Sequence, residues 1–139
     1  MTALRTLYLC GAGNSEGVRL AQQVNARHPR WDRIVLLDDD PARLGSDRLG
    51  VPVVGRLDAL HHADPATSEA VNLVARATRT RKDVRHRILA SGVPFVPLVS
   101  PDVDVGGVTL ARDVIVYQNA TLGPEATLDD GVCVFMGAV

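Results

Sequence analysis

A chain of 139 residues holds one ordinary domain, or a small domain and the beginning of another. Its 46% hydrophobic and 22% charged content excludes a disordered or coiled-coil chain, and a core forms at this length without disulfide or metal staples. A formal net charge of −1 offers no global attraction for nucleic acid or an anionic membrane. One Trp, two Tyr and two Phe leave the core to aliphatic side chains. Cys10 and Cys133 lie far apart in apolar runs and read as reduced thiols of a cytosolic protein. The run Leu7 to Cys10 meets a glycine cluster at once, unlike a secretory signal, and no apolar stretch approaches the length of a membrane span. The expectation is a soluble, cytoplasmic protein.

Leu7 to Cys10 has the continuous apolar character of a buried parallel strand. The stretch Gly11-Ala12-Gly13-Asn14-Ser15-Glu16-Gly17 then opens a helix, with Asn14 or Ser15 as cap and Glu16 near the positive end of the dipole. Gly17, Leu20, Ala21 and Val24 share one face of that helix, and His28-Pro29 ends it. Ile34 to Leu37 is a second buried strand, running into Asp38-Asp39-Asp40-Pro41. Strand, helix and strand within about 35 residues form a βαβ unit. Val51 to Val54 reads as a short strand, Leu57 to His62 as a short helical piece, and Ala70 to Val74 as a fourth strand. A helix is predicted over Thr80 to Ser91, with Val84, Ile88 and Leu89 as its apolar face and Thr80 with Asp83 as a capping box. Gly92 stops it, and Val93 to Val99 is a fifth strand or a linker. Residues 1–99 therefore read as a small, doubly wound, Rossmann-like α/β domain.

After Pro101 helical periodicity gives way to a period of six. Leu110, Val116, Leu122, Leu128 and Val134 are all aliphatic, and four residues after each stand Val114, Ala120, Ala126, Val132 and Ala138. Two apolar positions locked to six residues mark a hexapeptide parallel β-helix, in which three six-residue strands make one coil. Residues 100–139 hold only its first coils.

The glycine cluster carries the chemistry. Gly11 permits the tight turn out of the strand, Gly13 lets a ligand approach the backbone, and Gly17 packs the helix closely on the sheet. First-turn amides at Ala12 to Ser15, with the helix dipole, face a diphosphate. The spacing is GxGxxxG, one residue longer than the usual dinucleotide fingerprint. Asp38 or Asp39, at the carboxyl end of the second strand, is placed to accept from ribose hydroxyls. In the basic run Arg76 to Arg87, Arg76 and Arg79 stand near the carboxyl end of the fourth strand, where either can pair with a ligand phosphate. The run lacks aromatics, which argues against nucleic acid. His61 and His62 have no Cys or Glu cluster beside them, so no metal site is expected, and all four histidines read as surface residues. No nucleophile–base arrangement is legible, and no catalytic residue is assigned.

The segments Leu7 to Gly13, Val35 to Asp39, Gly50 to Gly55 and the hexads from Leu110 together resemble bacterial sugar acetyltransferases. The likeness is to the sialic-acid O-acetyltransferase and UDP-sugar N-acetyltransferase type. It implies a nucleotide-sugar in the N-terminal domain and a left-handed β-helix packed into a homotrimer. It also implies acetyl-CoA between the coils of a complete β-helix, and a histidine as general base. Here no histidine follows His86, so the expectation is a truncated form, inactive alone, that binds a UDP-sugar or an ADP-type diphosphate. Asn14-Ser15-Glu16 and Ala75 to Thr78 differ from the usual family loops and leave the nucleotide open. The alternative reading is a regulatory module that binds ADP or NAD without catalysis. A fragment of an NAD(P)-dependent oxidoreductase is a third.

Overall fold

The apolar runs lie side by side at the centre of a parallel sheet. The structure, a computed structural model, describes residues 4–139. In chain order it contains β1 (Thr6–Cys10), α1 (Ser15–Arg27), β2 (Arg33–Leu37), β3 (Asp47–Arg48), β4 (Val51–Gly55), a 3₁₀ turn (Leu57–His62), β5 (Ser68–Asn72) and α2 (Thr78–Ser91). Five two-residue strands follow: β6 (Leu98–Val99), β7 (Thr109–Leu110), β8 (Ile115–Val116), β9 (Thr127–Leu128) and β10 (Cys133–Val134). The architecture is mixed α/β with parallel sheets. The main sheet has the order β3-β4-β2-β1-β5, parallel except for the β3–β4 hairpin at one edge. Strand order reverses between β1 and β5, so their carboxyl ends diverge and leave a crevice.

Alternation along the strands divides the core. Leu7 and Leu9 face α1, where they meet Val18, Leu20 and Ala21 together with Leu98, Ile115 and Tyr117. Cys10 and Ala70 face α2, with Val84, Ile88 and Phe95. Burial pushes the Cys10 thiol up to about 12, so it stays an inert core group. A third, smaller cluster holds Val103, Val114, Val116 and Ala120. In this C-terminal region β7 pairs in parallel with β9 and β8 with β10, each pair eighteen residues apart, which is three of the six-residue periods. At the amino ends of the strands Glu69 accepts from Arg5, Arg30 and the Trp31 indole, far from the crevice.

Several local expectations change. The fourth strand lies two residues earlier than its apolar run, because Ser68 and Glu69 continue the pairing with β1. The stretch from Val93 contributes one bridge at Phe95 and then only the short β6, since Pro94 and Pro97 lack amide donors. No capping box forms at Thr80: α2 starts at Thr78 behind Ala77, which makes no side-chain cap bond. Leu89 is not on the buried face of α2, being 52% exposed.

Candidate functional site

A cavity of about 760 Å³ opens at the carboxyl ends of β1, β2 and β5. One wall is the β1–α1 turn and the facing wall is α2, which contributes Thr80, Asp83, Val84 and Arg87. The turn leaves β1 through Gly11, whose φ of +112° is open to glycine and unfavourable for other residues. Its amide donates to the Leu37 carbonyl, and Cys10 accepts from Leu73, so the turn hangs between β2 and β5. Asn14 then caps α1. Its Oδ1 accepts from the Gly17 amide at 3.0 Å, while its Nδ2 donates to the Leu73 carbonyl and to the Tyr117 hydroxyl at 2.8 Å. Burial raises the Tyr117 phenol above its ordinary value, against the Asn14 bond, so it stays protonated. Gly17 is required by contact: a Cβ there would lie 2.6 Å from Leu73 Cδ2. Among the described residues nothing accepts from the amides of Gly13, Asn14, Ser15 or Glu16.

Asp38 and Asp39 stand at the end of β2, and both are engaged by the protein. Asp38 Oδ2 accepts from the Ala12 amide at 2.8 Å and from Arg43 at 2.9 Å, and Oδ1 accepts from the Asp40 amide. Burial works to raise this carboxyl, but those three donors outweigh it and hold it below the usual carboxylate range. Asp39 is lowered chiefly by its bond to Arg87, opposed by burial and helped by the Leu57 amide. The far end of the cavity is apolar. Tyr117 stacks flat on Phe135, with ring centroids 5.9 Å apart, and Met136 lies beside them.

The structure gathers Gly11, Gly13, Asn14, Ser15, Asp38, Asp39 and Arg76 around this one cavity. Ala12 and Gly17 lie behind it, buried. Arg79 is exposed and does not line it. The rest of the basic run divides in a way its sequence hides. Arg81 donates to the carbonyls of Asn72, Val74 and Gly131, and Arg85 pairs with the buried Asp113 and with Asp130. These arginines dock α2 on the C-terminal region. Sequence reasoning missed Arg43, Arg87, Tyr117, Phe135 and Met136 as lining residues. Arg43 lies in an irregular connection with no periodic signal, and Tyr117 and Phe135 each follow a hexad position and read as repeat texture. His28, His61, His62 and His86 are exposed and none lines the cavity. Among the described residues no group of three or more His, Cys, Asp or Glu is arranged to hold a metal, and no helix is long and apolar enough to cross a membrane.

No protein-family model and no curated protein matches the chain. Solved structures do. The acetyltransferase domain of PglB from Neisseria gonorrhoeae FA1090, in complex with acetyl coenzyme A, matches with a TM-score of 0.82 at 26% identity, over 97% of this chain and 63% of that one. PerB from Caulobacter crescentus, in complex with CoA and GDP-perosamine, matches with a TM-score of 0.77 at 22% identity, over 97% of this chain and 62% of that one. At that lower identity the likeness shows the fold alone. The chain thus spans less than two-thirds of the length of either neighbour. The resemblance to bacterial sugar acetyltransferases, drawn from the glycine turn and the hexads, is matched by these structural neighbours.

Proposed function

We propose that this chain is the nucleotide-sugar-binding part of an acetyl-CoA-dependent sugar O- or N-acetyltransferase. Residues 1–99 act as a Rossmann-like binding unit and residues 100–139 as the start of a left-handed hexapeptide β-helix. One observation carries the reading: a cavity at the reversal of strand order, faced by four amides with no acceptor from the described residues. A diphosphate accepts from those amides at the positive end of α1. The ribose then lies toward Asp39, whose two oxygens each accept one protein hydrogen bond, whereas Asp38 already accepts three. The sugar points toward Tyr117, Phe135 and Met136. The neighbours in complex with acetyl coenzyme A, and with CoA and GDP-perosamine, support this ligand class. The proposal gives these residues binding and orientation of the nucleotide-sugar, with no acyl-transfer step assigned to them. A homotrimer built on the β-helix belongs to the same proposal.

Titration calorimetry with UDP, GDP and ADP tests it. Saturable binding to at least one diphosphate is expected, and Gly13→Val is expected to abolish it by closing the approach to the amides. No saturable binding to any of the three, or normal binding by Gly13→Val, would overturn the assignment. A strong preference for ADP over UDP and GDP would favour the adenine-nucleotide regulatory module.

A further inference from the structure

Arg43 stands in the loop between β2 and β3, in a turn closed by its own amide donating to the Asp40 carbonyl. Its guanidinium does not extend into solvent. It folds back over the glycine turn, with NH1 3.1 Å and NH2 3.5 Å from where a Gly13 Cβ would stand. NH1 donates to Asp38 Oδ2 at 2.9 Å, and Nε lies 3.7 Å from Asp40. NH1 is therefore held by the Asp38 carboxylate, while Asp40 is near Nε without a hydrogen bond. NH2 has no acceptor among the described residues, and the side chain lines the cavity while remaining 39% exposed. A guanidinium fixed on one side and open on the other suits a phosphate, whose oxygens take paired N–H donors. Arg76, the cation expected in this role from sequence, has no comparable anchor: nothing described holds its side chain.

Resting on the nucleotide-sugar reading above, we propose that Arg43 binds the diphosphate of the ligand, held in place by Asp38 and opposite the free amides of the β1–α1 turn. Gly13 then has a second reason to be glycine, since any side chain there would displace the guanidinium from the turn. Asp38 has a corresponding role as a positioning residue for Arg43, which explains why its carboxylate is committed to protein donors. The proposal separates two functions at the end of β2: Asp38 orients the phosphate-binding cation, and Asp39 meets the ribose.

The test measures affinity as a function of phosphate number, using the free nucleoside, its monophosphate and its diphosphate for whichever of UDP, GDP or ADP binds best. For Arg43→Ala the diphosphate is expected to lose roughly ten-fold or more in affinity, the size of one charge-assisted contact. The monophosphate should lose less and the free nucleoside nothing. Arg43→Lys should recover part of the loss, and raising the salt concentration should weaken the wild type more than Arg43→Ala. An equal loss across all three ligands would indicate a structural role and overturn the proposal, as would unchanged diphosphate affinity. Arg43→Gln, with the same thermal melting as wild type, guards against misfolding of the alanine variant. Absence of diphosphate binding by the wild type would overturn the nucleotide reading and this inference together. Binding by the wild type with no effect at Arg43 would overturn this inference alone.

Discussion

Gly17 shows how far a single missing Cβ reaches. It is buried in the first turn of α1, against Leu73 just beyond β5, and so it sets how closely the helix approaches the crevice. Alanine would gain about 1 kcal/mol of helix propensity but overpacking costs about 1–3 kcal/mol, so contact decides the sign. Gly17→Val is expected to lower stability by about 2–3 kcal/mol, read as a fall in Tm; an unchanged Tm would refute the close-packing argument. Asp39 gives a pH signature. Its carboxyl is held below the ordinary value by Arg87, so the ionised pair stabilises the fold above the unfolded pKa of about 3.9, and that contribution is lost as pH falls. Asp39→Asn should therefore melt below wild type near neutral pH, and the gap should close in acid. A gap that keeps its full size as pH falls below that unfolded value would show that the effect is not ionic.

At the scale of elements, α2 is the part whose placement its sequence conceals. Its apolar face is thin, Val84 and Ile88 being the buried residues, and hydrophobic periodicity reports nothing about which partner its arginines meet. Arg81 and Arg85 supply the missing docking, reaching Gly131 and Asp113. Burial raises the Asp113 carboxyl, against the pull of Arg81 and Arg85, so its charge depends on those cations. Arg85→Ala is expected to destabilise by about 2 kcal/mol near neutral pH, less than for a fully buried pair because Arg85 is 30% exposed. The pH effect runs in the same direction as for Asp39 but begins at higher pH: the loss should shrink as pH falls through the raised Asp113 pKa. Asp113→Asn added to Arg85→Ala should recover most of it. A pH-independent loss with no recovery would show that packing, not charge, holds α2. By contrast β1, α1 and β2 were legible because each has a strong local signal: continuous apolar strands, a glycine turn and an amphipathic face. The capping box at Thr80 misled because Ala77 and Thr78 already begin the helix, and no local rule excludes that start.

Across the whole molecule the two halves differ in how they are held. The main sheet is packed on both faces, whereas the C-terminal region sends Leu98, Ile115 and Tyr117 into that core and beyond them rests on a small cluster around Val103, Val114, Val116 and Ala120. Amides of β1 and β5 should therefore exchange slowest with solvent, and those of β9 and β10 fastest; equal protection across all four would contradict this. The hexad period was legible because it fixes pairing at eighteen residues, as β7–β9 and β8–β10 show. The cavity end formed by Tyr117 and Phe135 was not, because it exists only once residues more than a hundred positions from Asn14 fold against it. The indole of Trp31 stands at the opposite end of the sheet, 6% exposed and donating to Glu69. It is the chain's only tryptophan, so the protein carries a natural fluorophore that senses unfolding and is remote from the cavity. Its emission separates a broken site from a broken fold in every variant proposed above, without any label being attached.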